Sequence, residues 1–244
     1  MGQLETPKVY LGLPVVTAEA MRLMDRAAVE RFGLAELELM ENAGKAVAGA
    51  VLRYLKDPLG KTPGQATAVV CCGRGANGAD GLVAARRLRE AGVKVLVFIC
   101  PPRKESSYPG PVTANLERLQ ALGVVAWRVE TADALAAALR EGDIVIDALL
   151  GTGASGKPAG TIRAMIQAMN RSKKPILAVD VPSGLQPDTG YHSGVFVTAA
   201  VTLTLGLAKR GLLASHAKKY VGRLEVLDIG YPPELVKEAA RCLA

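Results

Sequence analysis

Seven short, nearly continuous apolar runs set the architecture of this chain: TAVVCC (67–72), VKVLVFIC (93–100), VVAWRV (124–129), IVIDALL (144–150), ILAVDVP (176–182), AAVTLTLG (199–206) and RLEVLDIG (223–230). They do not alternate apolar with polar, so strands built from them are buried on both faces, as in parallel sheets whose crossovers lay helices over each side. Between the first five lie segments with helical spacing, at about 80–90, 114–122, 132–140 and 161–170. Two helices precede the first strand. In one, Thr17 opens a turn with Met21, Met24, Ala28 and Phe32 near helical spacing and Gly33 as the stop; the other covers about 37–55. The pattern predicts an α/β, doubly wound, mostly parallel sheet with helices on both faces, preceded by two N-terminal helices. No repeat or linker divides the chain, so 1–244 is expected to form a single domain.

With 244 residues, 50% apolar and 4% aromatic, the chain can bury a sizeable core. A formal charge of +7 favours anionic partners. Lys and Arg are nevertheless scattered, without a basic run interleaved with aromatics, so no nucleic-acid role is expected. Cys71, Cys72 and Cys100 fall inside apolar runs, and neither they nor Cys242 make a C-x-x-C. Buried free thiols suit a reducing compartment. The N-terminal segment MGQLETPKVYLGLPVV lacks an apolar leader, and no run approaches a membrane span, so the expectation is cytoplasmic.

Two glycine loops follow strands. Gly73, Gly75 and Gly78 in GRGANGADG, and Gly151, Gly153 and Gly156 in GTGASGKP, both satisfy the dinucleotide spacing G-x-G-x-x-G. The second also begins like a P-loop, but Pro158 stands where a magnesium-binding hydroxyl is needed. Lys157 either reaches a ligand phosphate or is a solvated loop lysine. The first loop opens a helix whose amides and positive end suit an anionic or polar group, with Asp80 either near that group or merely an N-cap. An ordinary NAD-dependent dehydrogenase would place Asp or Glu after the second strand. This chain has Pro101, Pro102, Arg103 and Lys104 there, the last two suited at most to a 2′-phosphate. His192 and His216 are expected at the surface.

In a doubly wound sheet, ligands bind beyond the carboxyl ends of the strands. GRGANGADG, DALLGTGASGK and DVPSG should therefore converge. Asp147 and Asp180 each follow three apolar residues, and a buried carboxylate must be paired, hydrogen-bonded or bound to a cation. With Ser183 and the Asn77 amide they form an all-oxygen set suited to a hard cation rather than zinc. A purely structural hydrogen-bond network is the alternative.

MENAG (40–44), GRGANGADGLVAARRL, DALLGTGASG, DVPSG, LTLGLAKRGL and LEVLDIG occur in an order that resembles the YjeF N-terminal domain family, the NAD(P)H-hydrate epimerases. The resemblance runs from the first helix to about Pro232. It implies a Rossmann-like, often dimeric protein that interconverts the R and S forms of hydrated NADH and NADPH in nicotinamide cofactor repair, with NADHX and NADPHX as substrates. It further implies a potassium ion held by Asn77, Asp147 and Ser183. Substrate contacts are implied along Ala76, Asn77, Gly78, Ala79 and Asp80, along Gly151, Thr152, Gly153, Ala154, Ser155, Gly156 and Lys157, and at Asp180. Asp180 is the expected catalytic acid/base group. A dehydratase, separate or fused, is the expected functional partner, with no dehydratase domain in this chain.

The family's loop reads G-x-G-N-N-G-G-D-G, so this chain departs at Ala76 and Ala79. Ala76 removes an amide from the loop, and Ala79 adds a methyl group that resists positive φ. The competing expectation is a non-catalytic YjeF-type ligand-binding or scaffold domain.

Overall fold

The computed structural model describes residues 6–103, 107–130 and 132–241, so Lys104 and Cys242 fall outside it. A small antiparallel hairpin, β1 (Val9–Tyr10) and β2 (Leu13–Pro14), precedes α1 (Ala18–Phe32) and α2 (Glu36–Lys56). The chain then alternates through β3 (Thr67–Cys72), α3 (Ala76–Glu90), β4 (Lys94–Ile99), α4 (Gly110–Ala121), β5 (Ala126–Arg128), α5 (Ala132–Glu141), β6 (Ile144–Ala148), α6 (Gly160–Arg171) and β7 (Ile176–Val179). β8 (Val201–Leu205), the one-turn α7 (Lys218–Val221), β9 (Arg223–Leu227) and α8 (Pro233–Arg241) follow. β3 to β9 are the seven apolar runs, and they form one parallel sheet in the order β5-β4-β3-β6-β7-β8-β9.

That order has a physical consequence. The sheet starts in its middle at β3, grows outward to β5, and then returns to build the other half from β6. The two crossovers diverge between β3 and β6 and leave a crevice above their carboxyl ends, the switch point where such sheets bind ligands.

Strand alternation divides the core. Ala68, Val70 and Cys72 face a cluster that includes residues of α1, α2, α3, α4 and α8, whereas Val69 and Cys71 face α5 and α6. All five are fully buried, and each such valine contributes about 1.5–3 kcal/mol. α1 is capped as expected. Thr17 Oγ1 accepts the Ala20 N–H at 3.1 Å, and Gly33 ends the helix at φ 71°.

α3 departs from the expectation. It begins at Ala76 rather than near Asp80, and its N-cap is Gly75, with no side-chain cap. Asp80 is therefore not an N-cap but lies in the second turn. Ala79 sits in regular helix, its N–H bonded to Gly75 O at 3.1 Å, so the expected conflict with positive φ does not arise. α4 likewise begins four residues before the expected Ala114. The hairpin β1–β2, α7 and α8 have no counterpart in the sequence reading. Cys71, Cys72 and Cys100 are buried free thiols. Among the described residues, no helix is long and apolar enough to cross a membrane.

Candidate active site

The three strand-end segments converge as expected. They form a cleft of about 860 Å³, within the size range of small-molecule and cofactor sites. Its walls come from Arg74, Gly75 and the start of α3, from the loop after β6, and from Asp180 after β7. Met21 and Asp25 of α1, Met40 of α2, and Tyr231 close it from the side.

Glycines let the first two segments meet. Gly73 donates its N–H to Ala148 O at 2.8 Å, and a Cβ there would lie 1.9 Å from Leu149 O. A Cβ on Gly78 would lie 2.1 Å from Gly73 O. Gly75, by contrast, is open to solvent. The upstream signature is thus largely a requirement for close backbone approach, which places the first turn of α3 and its unpaired amides at the cleft.

Asp147 is fully buried at the end of β6. Its Oδ1 accepts the Ser183 hydroxyl at 2.7 Å and the Leu149 N–H at 3.2 Å, and its Oδ2 accepts the Ser183 N–H at 2.9 Å. Burial nevertheless pushes its carboxyl up to about 6 against those donors. Ser183 Oγ in turn accepts the Leu150 N–H at 2.9 Å, stitching the loop after β6 to the turn after β7. In the first turn of α3, Asn77 lines the cleft and is buried, and both its Oδ1 and Nδ2 lack a hydrogen-bond partner. Such an orphaned amide is costly without a ligand. The unpartnered Asn77 amide is the feature that suits a hard cation or polar ligand, whereas the expected co-ligands Asp147 and Ser183 are buried behind the cleft and do not line it. Among the described residues, no group of three or more His, Cys, Asp and Glu is arranged for a metal ion.

Asp180 occupies a left-handed conformation, φ 67°, uncommon outside glycine. Its Oδ1 pairs with Lys209 Nζ at 2.5 Å, and its Oδ2 accepts the Thr152 N–H at 3.1 Å. Asp80 and Asp25 complete an acidic floor. Burial, reinforced by Asp180 and Asp25, pushes the Asp80 carboxyl well above its ordinary value. Asp25 is open to the cleft, yet the protein around its carboxyl still raises it, against the Tyr231 hydroxyl that donates to its Oδ1 and the nearby Lys209. The Tyr231 hydroxyl is itself driven upward by burial and then by Asp25.

Of the expected substrate contacts, Ala76, Asn77, Asp80, residues 151–157 and Asp180 line the cleft. Gly78 and Ala79 do not; they lie behind it, buried in α3. Lys157 is exposed on the rim, where Arg74 and Arg103 also face the cleft. The histidines are half-buried rather than on the surface. His192 stacks on Phe196 with ring centroids 3.8 Å apart, and His216 on Tyr191 at 4.2 Å; neither lines the cleft. Lys209, Asp25 and Tyr231 were not singled out from sequence. Asp25 sits four residues after Met21 on the apolar side of α1, and Lys209 interrupts an apolar stretch, which are the signals that mark them.

A doubly wound parallel sheet with this cleft at its switch point defines a Rossmann-like α/β protein. More narrowly, the chain belongs to the family described as YjeF-related protein N-terminus, which it matches over residues 36–211. It is 38% identical over 220 residues to an NAD(P)H-hydrate epimerase of Pirellula staleyi, covering 89% of this chain and 92% of that protein. An NAD(P)H-hydrate epimerase of Elusimicrobium minutum is also 38% identical, over 93% of this chain and 100% of its own length. The bifunctional NAD(P)H-hydrate repair enzyme Nnr of Thermofilum pendens is 39% identical over 93% of this chain, which spans only 42% of that longer protein. The crystal structure of yeast ynu0 shares the fold, with a TM-score of 0.78 over 93% of both chains at 24% identity.

Proposed function

We infer that this protein is an NAD(P)H-hydrate epimerase, an isomerase that interconverts the R and S forms of hydrated NADH and NADPH. The observation that carries the reading, beside the likeness to the two epimerases, is the cleft at the switch point with Asp180 anchored on its floor. In the substrate, the hydroxyl-bearing carbon is bonded to the ring nitrogen. The nitrogen lone pair can form a C=N bond as the C–O bond breaks, provided that the departing oxygen gains a proton. Water then adds to the other face of the ring and loses one.

A neutral carboxyl and an ionised carboxylate suit those two transfers. In this reading Asp80, whose carboxyl burial pushes well above its ordinary value, donates to the departing hydroxyl, and Asp180, paired with Lys209, accepts a proton from the incoming water. The roles reverse in the opposite direction. The rim residues Lys157, Arg74 and Arg103 and the first turn of α3 suit the phosphates.

Potassium, held by Asn77, Asp147 and Ser183, would offset negative charge at the cleft. A dehydratase, carried on one chain in bifunctional relatives such as that of T. pendens, is the partner activity. A homodimer and a reducing, cytoplasmic setting complete the reading; the buried thiols suit the latter.

The test follows R-form NADPH hydrate to the S form by chromatography, in potassium and in choline, with wild type and Asp180→Asn. Wild type should equilibrate the two faster in potassium, and the substitution should slow it about 10²–10⁴-fold. Folded wild type that adds nothing to the spontaneous rate in potassium would overturn the reading in favour of a binding domain.

A further inference from the structure

Lys209 is only 1% exposed, an unfavourable place for an ammonium group unless it is fully paired. Its Nζ donates to Asp180 Oδ1 at 2.5 Å, to Leu205 O at 2.7 Å and to Thr204 Oγ1 at 3.2 Å, which commits all three of its hydrogens. Thr204 and Leu205 end β8, so the socket for the ammonium is built by the strand next to β7. Asp180, just past the end of β7, is held from the other side by the Thr152 N–H on Oδ2 and by its own N–H on Leu203 O at 2.8 Å. Both carboxylate oxygens are thereby fixed on a residue whose backbone is already in an unfavourable region.

A buried ion pair adds little net stability compared with an apolar pair of the same shape. The consequence of this one is geometric and electrostatic. Asp25 from α1, Asp80 from α3 and Tyr231 face the same spot, and Lys209 is the cation that acts on both acids.

We propose that Lys209 is the positioning residue for Asp180, fixing the orientation in which its carboxylate faces the cleft. The proposal rests on the epimerase reading and adds a residue whose ammonium touches Asp180 directly and reaches Asp25 and Asp80 only through space.

A double-mutant cycle tests it. Lys209→Met, Asp180→Asn and the double variant are assayed for R-to-S conversion of NADPH hydrate, with circular dichroism and thermal melts alongside. Lys209→Met should lower kcat at least about 30-fold with KM within about threefold, because the interaction it removes acts in the reaction rather than in binding. The double variant should match Asp180→Asn within about threefold, since a residue that works through Asp180 has nothing left to position. Losses that multiply in the double variant, or a Lys209→Met enzyme within threefold of wild type, would overturn the proposal while leaving the epimerase reading intact. An inactive wild type removes both. If Lys209→Met does not fold, Lys209→Arg takes its place in the cycle with the same non-additivity expected, and failure of both to fold would mark Lys209 as purely structural.

Discussion

Gly73→Ala separates two explanations of the upstream glycine signature, ligand cradle and backbone packing. A Cβ at this position would sit 1.9 Å from Leu149 O and 2.8 Å from Leu149 C, short of the ordinary C···O approach of about 3.3 Å by about 1.4 Å. The clash is with backbone, so no side chain can rotate away. Relief to one side is limited as well, because the Gly78 backbone already packs so closely on Gly73 that a Cβ there would lie 2.1 Å from Gly73 O. The β3 and β6 ends must part, which breaks the buried bond from Gly73 N–H to Ala148 O. Overpacking of this kind costs about 1–3 kcal/mol, and a buried peptide group left unpaired about 1–3 more, giving about 4 kcal/mol. That is a large share of a typical stability of about 5–15 kcal/mol, and at this chain length lowers Tm by roughly 8–16 °C. Gly75→Ala is the control. At φ −119° with nothing within 4 Å, it should cost less than about 1 kcal/mol. Urea unfolding followed by circular dichroism reads both. Equal, small losses for the two variants would refute the packing account and return the signature to a ligand-contact role.

Two further substitutions address charge. Asp143 is driven up by burial, but Lys61 Nζ at 2.6 Å and the Thr67 N–H at 2.9 Å outweigh this and hold it below the usual 3.8. A depressed folded value stabilises the protein above pH 3.8 and loses that contribution as pH falls through the folded value. Asp143→Asn should therefore lower stability at pH 7 by about 1 kcal/mol, given the partly exposed pair, and flatten the acid decline in chemical denaturation run from pH 7 to pH 3. An unchanged pH profile would count against the pair. Lys157→Gln should raise KM for NADPH hydrate about tenfold with kcat unchanged if the rim lysine meets a phosphate. Unaltered KM would make it the solvated loop lysine that its exposure also permits.

The sheet was legible because burial on both faces writes itself into sequence as unbroken apolar runs; all seven strands sit where those runs predict. Helix starts were less so. α3 starts in a glycine-rich stretch without a capping side chain, and the same glycines that suggest a loop allow α3 to begin against Leu149. The Asp147–Ser183 pairing was readable because Asp147 lies at the end of β6 and Ser183 just beyond β7. The acid–lysine floor was not, because its pairs span long separations, 206 residues for Tyr231 with Asp25 and 29 for Lys209 with Asp180. Periodicity reports which face a residue occupies and says nothing about which distant residue meets it there. His192 and His216 were misjudged for the same reason, since their partners arrive from separate stretches of the β7–β8 and β8–β9 connections.

The two glycine loops divide the work of the cleft unequally. The upstream one is held tight by Gly73 and Gly78, and it fixes where α3 begins and hence where Asn77 and Asp80 stand. The downstream one is looser. Gly153 and Gly156 have open space around them, whereas Gly151 lies so close to Asn77 and Asp180 that a Cβ would come within 3.1 Å of Asp180 Oδ2 and 3.2 Å of Asn77 Cβ and Cγ. Gly151 thus brings the amide of Thr152 within reach of Asp180 while leaving Asn77 room for its amide. The first loop builds the floor, and the second supplies a backbone donor to that floor together with an exposed rim ending in Lys157. Neither arrangement is a P-loop, despite the shared spelling. Pro158 is buried and offers neither a hydroxyl nor an amide hydrogen, so the magnesium site that defines a P-loop cannot form at this position.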